Sequence, residues 1–170
     1  MNINELYEEI DVLEMDNAVK LISKDWMLIT ARDGEGVNAM TASWGGLGEL
    51  WNNHVAFCFV RPERYTYGLM EREEKISLAF FGEEYRSALT FCGKNSGRDM
   101  NKLAAAGLSA SEIDGTPVIN EAKMLVIARK LYADDIKESS FIDTSMLKYY
   151  EKEDFHRFYI LAIEKVLVKK

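Results

Sequence analysis

The feature that most constrains the fold is a set of segments that look like β-strands and are apolar on both faces. His54–Val60 reads HVAFCFV, so every position after the histidine is apolar, whichever face of a strand it would occupy. The same pattern occurs in Ile76–Phe81 and near the middles of Ala122–Tyr132 and Phe155–Val168. A strand of this kind is covered on both faces. In a barrel one face looks inward, so the other needs a helix or a second subunit over it.

A β-hairpin is predicted ahead of these strands. Trp26–Arg32 is mostly apolar, and Asp33–Gly36 (DGEG) after it is a typical turn sequence. Val37–Trp44 is the expected partner strand, and the glycines at positions 45, 46 and 48 are expected to end it.

Two helices are predicted between the strands. In Glu83–Cys92 the apolar residues recur at i, i+3, i+4 and i+7, and Gly93 is expected to cap the C-terminus of this helix. A second helix is expected over Arg98–Ala106, with Ser96 as its N-cap and an acidic residue three positions later, and it should end at Gly107.

These elements predict a mainly β fold, a β-barrel with helical insertions, because about six strands are joined by short helices. The strands and helices do not alternate evenly enough for a parallel βαβ pattern. The length of 170 residues fits one domain, so residues 1–170 are expected to form a single domain.

The charge balance and cysteine content exclude several partners and compartments. The chain has 28 acidic and 21 basic side chains, a net charge of −7, which disfavours nucleic acid and anionic membranes as partners. No apolar run approaches the roughly 18 residues of a membrane span. Residues 1–16 are acidic and lack the features of a signal peptide. Cys58 and Cys92 are too few for a disulfide framework, so a cytoplasmic protein with reduced thiols is expected.

The sequence lacks the motifs of the common enzymes that work with side chains alone. It contains no P-loop, no G-x-G-x-x-G fingerprint, no H-E-x-x-H zinc motif and no G-x-S-x-G nucleophile elbow, and it has only two histidines. No metal site is therefore expected, and an externally supplied cofactor is the better candidate for carrying the chemistry.

Four polar stretches carry a resemblance to a known family. They are Asn38–Gly45 (NAMTASWG), Val60–Thr66 (VRPERYT), Cys92–Asp99 (CGKNSGRD) and Asp154–Arg157 (DFHR). In order and spacing they resemble the flavin reductase-like family, whose fold is the FMN-binding split barrel, and the flavoredoxins are the most similar subgroup. The similarity covers nearly the whole chain.

The first stretch is implied by this resemblance to contact FMN. Small residues on a strand let the backbone approach a flat ring, and hydroxyls can reach the polar edge of the ring or the ribityl chain. Serine and threonine are also common on half-buried strands that bind nothing, and this alternative stays open. The candidate contacts are Asn38, Met40, Thr41, Ala42, Ser43 and Trp44.

The second stretch is implied to hold the flavin phosphate. Arg61, Arg64 and Thr66 lie where a strand is expected to lead into a helix, and arginines and helix N-termini both bind phosphate well. By resemblance Arg64 and Thr66 are the main candidates, with Arg61 beside them. The alternative is a solvated helix start with salt bridges to Glu71 or Glu73.

The remaining candidates lie in the last two stretches. Besides its expected capping role, Ser96 belongs to a loop whose N–H groups, with Lys102, are implied to face an anion or the flavin edge. His156 is implied to lie on the nicotinamide side of the flavin, where a titrating imidazole would steer a charged donor or adjust ring protonation. The alternative for His156 is a hydrogen-bonded surface histidine. Trp44 and Trp51 flank the glycines, where they would cover the flavin, contact a partner subunit or fill a core.

The function implied by the resemblance is that of an FMN-binding oxidoreductase. We expect an NAD(P)H-dependent flavin reductase that transfers hydride or electrons through the isoalloxazine ring, with NADH or NADPH as donor. A homodimer with the flavin near the subunit interface is implied as well. Two alternatives remain: a non-catalytic flavoredoxin-type electron carrier with a redox protein partner, and a split-barrel binding module that has lost flavin.

Overall fold

The computed structural model describes residues 3–15 and 17–170, so Met1, Asn2 and Asp16 of the acidic N-terminal stretch lie outside it. The strands in these residues are β1 (Tyr7–Ile10), β2 (Met27–Asp33), β3 (Gly36–Ala42), β4 (Gly45–Leu50), β5 (Asn53–Val60), β6 (Lys75–Phe80), β7 (Ala110–Ile113), β8 (Thr116–Ile119), β9 (Met124–Asp135) and β10 (Arg157–Lys169). The strands predicted from their apolar patterns are confirmed, with ends shifted by up to three residues.

Short helices lie between the strands. The α-helices are α1 (Ile3–Leu6), α2 (Ala18–Lys20), α3 (Tyr65–Arg72), α4 (Arg86–Lys94) and α5 (Lys102–Ala105). A π-helical segment, Leu21–Asp25, continues α2, and 3-10 turns occur at Val12–Glu14, Glu83–Tyr85, Glu138–Ser140 and Thr144–Tyr149. No helix in residues 3–15 and 17–170 is both long enough and apolar enough to cross a membrane.

The main sheet is antiparallel and has the order β3-β2-β6-β9-β10-β5-β4. Strand β10 is shared along its length: its first half pairs with β5 and its second half with β1. Strands β3 and β4 stand at the two ends of the order, so the barrel is open, as in a split barrel. Strands β7 and β8 form a separate hairpin. The mainly β fold with helical insertions is confirmed.

Both faces of the central strands are buried, as their sequence predicted. Ile29 and Leu78 point into the core inside the barrel, which also contains Val126. Their neighbours Leu28 and Leu125 belong to a second core outside the barrel, which α4, α5 and the β7–β8 hairpin cover. The insertions therefore supply the outer cover that these strands require.

The outer face of β5 and of the start of β10 is less completely covered. Phe59 and Phe158 lie opposite each other in register and are half-buried, with ring centroids 6.3 Å apart. The ring centroid of Tyr132 lies 5.9 Å from that of Phe158 and 6.3 Å from that of Trp51. Tyr132 is 43% exposed and Trp51 is 58% exposed. We call these four residues the aromatic face.

The glycine-rich segment was predicted to break the second strand of the hairpin. Strand β3 does end ahead of it, at Ala42, but the glycines form a further strand, which was not predicted. Strand β4 begins at Gly45 and pairs with β5 along its whole length. A Cβ atom at Gly45 would lie 2.7 Å from the carbonyl oxygen of Phe57, closer than real side chains come. The glycine here permits close approach of two strands, and a sequence pattern does not distinguish this use from a turn.

The predicted helix over Arg98–Ala106 is wrong in length and in its cap. Only Lys102–Ala105 is helical, and its N-cap is Asn101, whose side chain accepts from the Ala104 N–H at 3.2 Å. The Ser96 hydroxyl accepts from the N–H of Arg98 at 3.2 Å, which closes a local turn ahead of the helix. Both residues are good cap types, and their sequence alone does not decide between them.

The other helix is confirmed, but its predicted cap is not. Its apolar stripe is buried in the outer core, and α4 runs on through Gly93 to Lys94. Gly93 lies close to Thr41: a Cβ atom on the glycine would come within 3.4 Å of the Thr41 Cβ. The glycine therefore serves the packing of α4 against β3 and not helix termination. The stop at Gly107 is confirmed by its φ of 72°.

Candidate functional site

A cavity of about 250 Å³ lies where the end of β3, the end of β5, the start of α3 and the start of β10 meet. Most of the residues singled out in the sequence line it together. The lining consists of Met40, Thr41, Ala42, Ser43, Trp44, Phe59, Arg61, Arg64 and His156.

The wall from β3 consists of small residues and one tryptophan. Thr41 Oγ1 donates to the carbonyl oxygen of Leu89 at 2.5 Å, so this hydroxyl holds β3 to α4. Ala42 is buried, whereas Ser43 and Trp44 are exposed at the rim, beyond the end of the strand. The wall thus offers an open backbone edge beside an indole ring.

Arg64 is the cation of the site that lacks a counter-charge. It occupies the N-cap position of α3, and its Nη1 donates to the carbonyl oxygen of Gly93 at 3.2 Å. It forms no ion pair in the described part of the chain. Burial lowers the pKa of the guanidinium, with Glu63 acting in the opposite direction. Because an arginine stays charged in proteins, this half-buried group presents positive charge to the cavity.

Arg61 lines the same cavity but is already paired. Its guanidinium lies 2.5 Å from the carboxylate of Asp154 and donates to the carbonyl oxygen of Tyr149 at 2.9 Å. It therefore fastens the segment before β10 to the site. The alternative partner Glu71 instead accepts from the hydroxyl of Tyr159 at 2.6 Å.

His156 is buried, so the surface-histidine alternative is wrong. Its Nδ1 lies 2.9 Å from the hydroxyl of Tyr150, and the centroid of its ring lies 5.3 Å from that of Trp44 and 6.4 Å from that of Phe59. Burial lowers the pKa of His156 to about 4, and the charge of Arg61 acts in the same direction. At neutral pH the imidazole is uncharged, so the expected titrating steering group is not found here.

Two predicted ligands lie behind the cavity wall. The side-chain amide of Asn38 donates to the hydroxyl of Thr66 at 2.8 Å, and both residues are buried. They connect β3 to α3 and so fix the position of Arg64 relative to the β3 wall. Thr66 is not among the residues lining the cavity.

Lys102 also has a structural role. Its amine is buried and donates to the carbonyl oxygens of Cys92 and Asn95 at 3.1 and 3.2 Å, where α4 ends. Burial lowers the pKa of this amine to about 8. Lys102 and Asn38 line a neighbouring cavity of about 220 Å³, and Ser96 lies outside both linings.

Sequence analysis missed Phe59 as a lining residue. It lies two positions before Arg61, so the two share a face of the strand and its extension. This period-2 phasing was a usable signal, but the apolar pattern of the strand placed Phe59 in a covered core instead.

Residues 19–138 match the family model described as "Flavin reductase like domain". No protein of the curated set matches the chain.

Solved structures with similar folds come from different organisms. An FMN-binding domain of a flavin reductases-like enzyme from Shewanella baltica has a TM-score of 0.69 and 15% identity, over 96% of this chain and 77% of that one. Flavoredoxin from Methanosarcina acetivorans has a TM-score of 0.68 and 16% identity, covering 96% and 76%. The styrene monooxygenase flavin reductase of Pseudomonas putida has a TM-score of 0.62 and 14% identity, covering 84% and 77%. At these identities the similarity establishes the fold.

Proposed function

The chain belongs to the flavin reductase-like domain family, and on this premise we propose that it binds FMN in the cavity beside Arg64 and acts as an NAD(P)H-dependent flavin reductase. The observation that carries the proposal is the half-buried Arg64 guanidinium, which in residues 3–15 and 17–170 has one carbonyl partner and no carboxylate. A dianionic phosphate would supply the missing counter-charge, and guanidinium groups bind phosphate in bidentate geometry. We call the cavity of about 250 Å³ beside Arg64 the flavin cavity.

The rest of the lining fits the isoalloxazine ring and the ribityl chain of FMN. Ala42 and Ser43 leave the backbone of the β3 end accessible to the polar edges of an isoalloxazine ring, and Trp44 and Phe59 offer apolar ring surfaces. His156 is uncharged at neutral pH, so it adds a flat polar surface without opposing the charge of the phosphate site.

The bound flavin would supply the hydride or electron transfer, and the protein would bind and orient it. Arg64 would hold the phosphate end, while the β3 wall would hold the ring. One ring face must stay open, because NADH or NADPH has to bring its donor carbon within about 3–3.5 Å of the flavin. No nucleophile or general base is required in the lining.

We propose further that the chain forms a homodimer with the flavin cavity near the interface. The cavity volume of about 250 Å³ is below the roughly 300–1,000 Å³ typical of small-molecule sites, so a second subunit would complete it. Phe59 belongs both to the cavity lining and to the aromatic face, so the cavity opens beside this incompletely covered surface.

The test is FMN binding by the purified protein, with Arg64 as the probe. We expect added FMN to bind with a shifted visible spectrum, and Arg64→Ala to weaken its affinity by roughly 10- to 150-fold, the loss of one hydrogen bond to a charged group. Arg72→Ala is the matched control, because Arg72 lies on the same helix, outside the cavity lining, and donates to the carbonyl oxygen of Gly68. Equal affinities of the two variants would remove Arg64 from the site.

An electron carrier is the second candidate, and similarity to flavoredoxin favours it. Steady oxidation of NADH or NADPH with added FMN supports the reductase. A tightly bound flavin that is reduced only by a protein donor supports the carrier. A protein that takes up no FMN would contradict both, and would leave a barrel that has lost its flavin.

A reducing, cytoplasmic compartment is also proposed. Cys58 and Cys92 are both buried and unpaired, and they lie in different cores. Burial raises the pKa of the Cys58 thiol to about 12, so it stays protonated and unreactive.

A further inference from the structure

A second and larger cavity, of about 510 Å³, adjoins the flavin cavity, and Trp44 lines both. It lies between the end of β9, the start of β10 and the segment that joins them. We call it the aromatic pocket. Its lining consists of Trp44, Asp134, Asp135, Ile136, Lys137, Ser140, Phe141, Met146, Tyr149, Tyr150 and Phe158.

The rings of this pocket are held in place by one another. Tyr150 stacks on Phe155 at 4.7 Å, and Phe141 contacts both of these rings, at 5.8 and 6.2 Å. Tyr149 meets Trp44 edge-on at 5.6 Å. Arg61 fastens the backbone of Tyr149 to the barrel. The aromatic wall of the pocket is therefore preformed, because its rings pack against one another without a ligand.

The charged residues at its rim are matched. Asp134 lies 3.3 Å from the amine of Lys137, and Asp135 lies 3.4 Å from the guanidinium of Arg157. The same guanidinium also lies 3.4 Å from Glu71, and each charged group of the lining therefore already has a partner of opposite charge. A charged ligand would give up water for an apolar lining without gaining an unpaired counter-charge.

The volume of the pocket limits the size of its occupant. About 510 Å³ lies within the roughly 300–1,000 Å³ of small-molecule sites. Offset-stacked and edge-on contacts with several aromatic rings favour a flat aromatic guest over a branched aliphatic one.

We propose that the aromatic pocket binds an uncharged, planar aromatic molecule of one or two rings. Its binding rests on this lining alone.

The test is calorimetric titration of the full chain, free of FMN, with three naphthalene derivatives that differ in charge. We expect 2-naphthol to bind at least about tenfold more tightly than 2-naphthoate or 2-naphthylmethylammonium, because only the charged analogues lose ionic hydration. Since no FMN is present, failure of the proposed function leaves this measurement unaffected.

Variants of one short segment show where the ligand binds. Phe141→Ala and Met146→Glu alter the lining at positions with exposed or half-buried side chains, and we expect each to weaken 2-naphthol binding by about tenfold or more. Ile142→Glu is the matched control, because Ile142 is fully exposed in the same segment and lies outside the lining. We expect it to leave the affinity within about twofold of the parent value.

Each contrary result overturns the proposal in a distinct way. Tighter binding of a charged analogue would assign the pocket to another ligand class. Equal effects of Phe141→Ala and Ile142→Glu would place the ligand elsewhere. Absence of heat with all three compounds, in a chain that sedimentation shows to be a dimer, would mean that a second copy fills the pocket.

Discussion

Arg61 and Arg64 are three positions apart and carry the same side-chain group, but their partners differ. Arg61 faces Asp154 and is neutralised, whereas among the residues that the structure describes Arg64 has only a backbone carbonyl as partner. The charge available to a ligand therefore comes from Arg64. Because an unpaired half-buried cation is costly, binding of an anion there stabilises the folded chain as well as the ligand.

His156 gives a pH dependence that follows from its burial. Its pKa is lowered from 6.5 to about 4, so the unfolded chain takes up a proton that the folded chain excludes. The associated stability is complete above pH 6.5 and is lost as the pH falls toward 4. We expect the loss to be about 3 kcal/mol.

Urea unfolding of the parent chain and of His156→Gln at several pH values measures this loss. The difference between the two free energies of unfolding should change between pH 6.5 and 4 and stay level above that window. His54→Gln is the control, since His54 is exposed beside Glu49. A difference that does not vary with pH would show that His156 is not buried in a neutral form.

Among the elements, β4 is a strand that was not predicted, because half of its residues are glycines. Its glycines allow its backbone to lie against Phe57, and this close approach holds the edge strand on the barrel. The pattern of apolar residues predicts a strand only where side chains provide the packing. Strand β4 packs through the backbone of its glycines, and Leu47 is its side chain that packs against the core inside the barrel.

Two alanine substitutions on β4 separate these uses of glycine. At Gly45 the new Cβ would meet the Phe57 carbonyl at 2.7 Å, so we expect Gly45→Ala to lower the free energy of unfolding by about 1–3 kcal/mol. At Gly48 the nearest atom is a Phe57 ring carbon at 3.9 Å, an ordinary contact, so Gly48→Ala should change stability by less than about 0.5 kcal/mol. Urea unfolding compares the two, and equal effects would contradict the close approach.

The segments that connect the strands have two different roles. Helices α4 and α5 and the β7–β8 hairpin cover one side of the barrel, and the Lys102 amine fastens the start of α5 to the end of α4. The segment between β9 and β10 frames the aromatic pocket. Some connections thus cover the barrel, and another forms the wall of a cavity.

At the scale of the whole molecule, the aromatic face is where a partner subunit is expected. Tyr132→Glu places a charge in its centre, and we expect it to weaken dimerisation by about tenfold or more. Leu13→Glu is the control, because Leu13 is 80% exposed and lies outside that face. Sedimentation over a range of protein concentrations measures both, and equal dissociation constants would place the interface elsewhere.

The overall architecture, a barrel with an outer cover, could be predicted from the sequence alone. Strands that are apolar on both faces require a barrel with an outer cover, because each face must be removed from water. The same pattern accounts for the two cores on either side of β2, β6 and β9. The polar stretches also contain eight of the nine residues that line the flavin cavity, with Phe59 as the omission, whereas Asn38, Thr66, Ser96 and Lys102 lie outside that lining.

Only the tertiary structure decided which of those residues remain available to a ligand. Asp154 neutralises Arg61 from 93 positions away along the chain, and carbonyls at the end of α4 occupy Lys102. Tyr150, Arg61 and the surrounding rings enclose His156 and keep it uncharged. Ion pairing and burial depend on groups that are distant in sequence and close in space. For this reason residue types and their spacing located the site, and the fold assigned the roles within it.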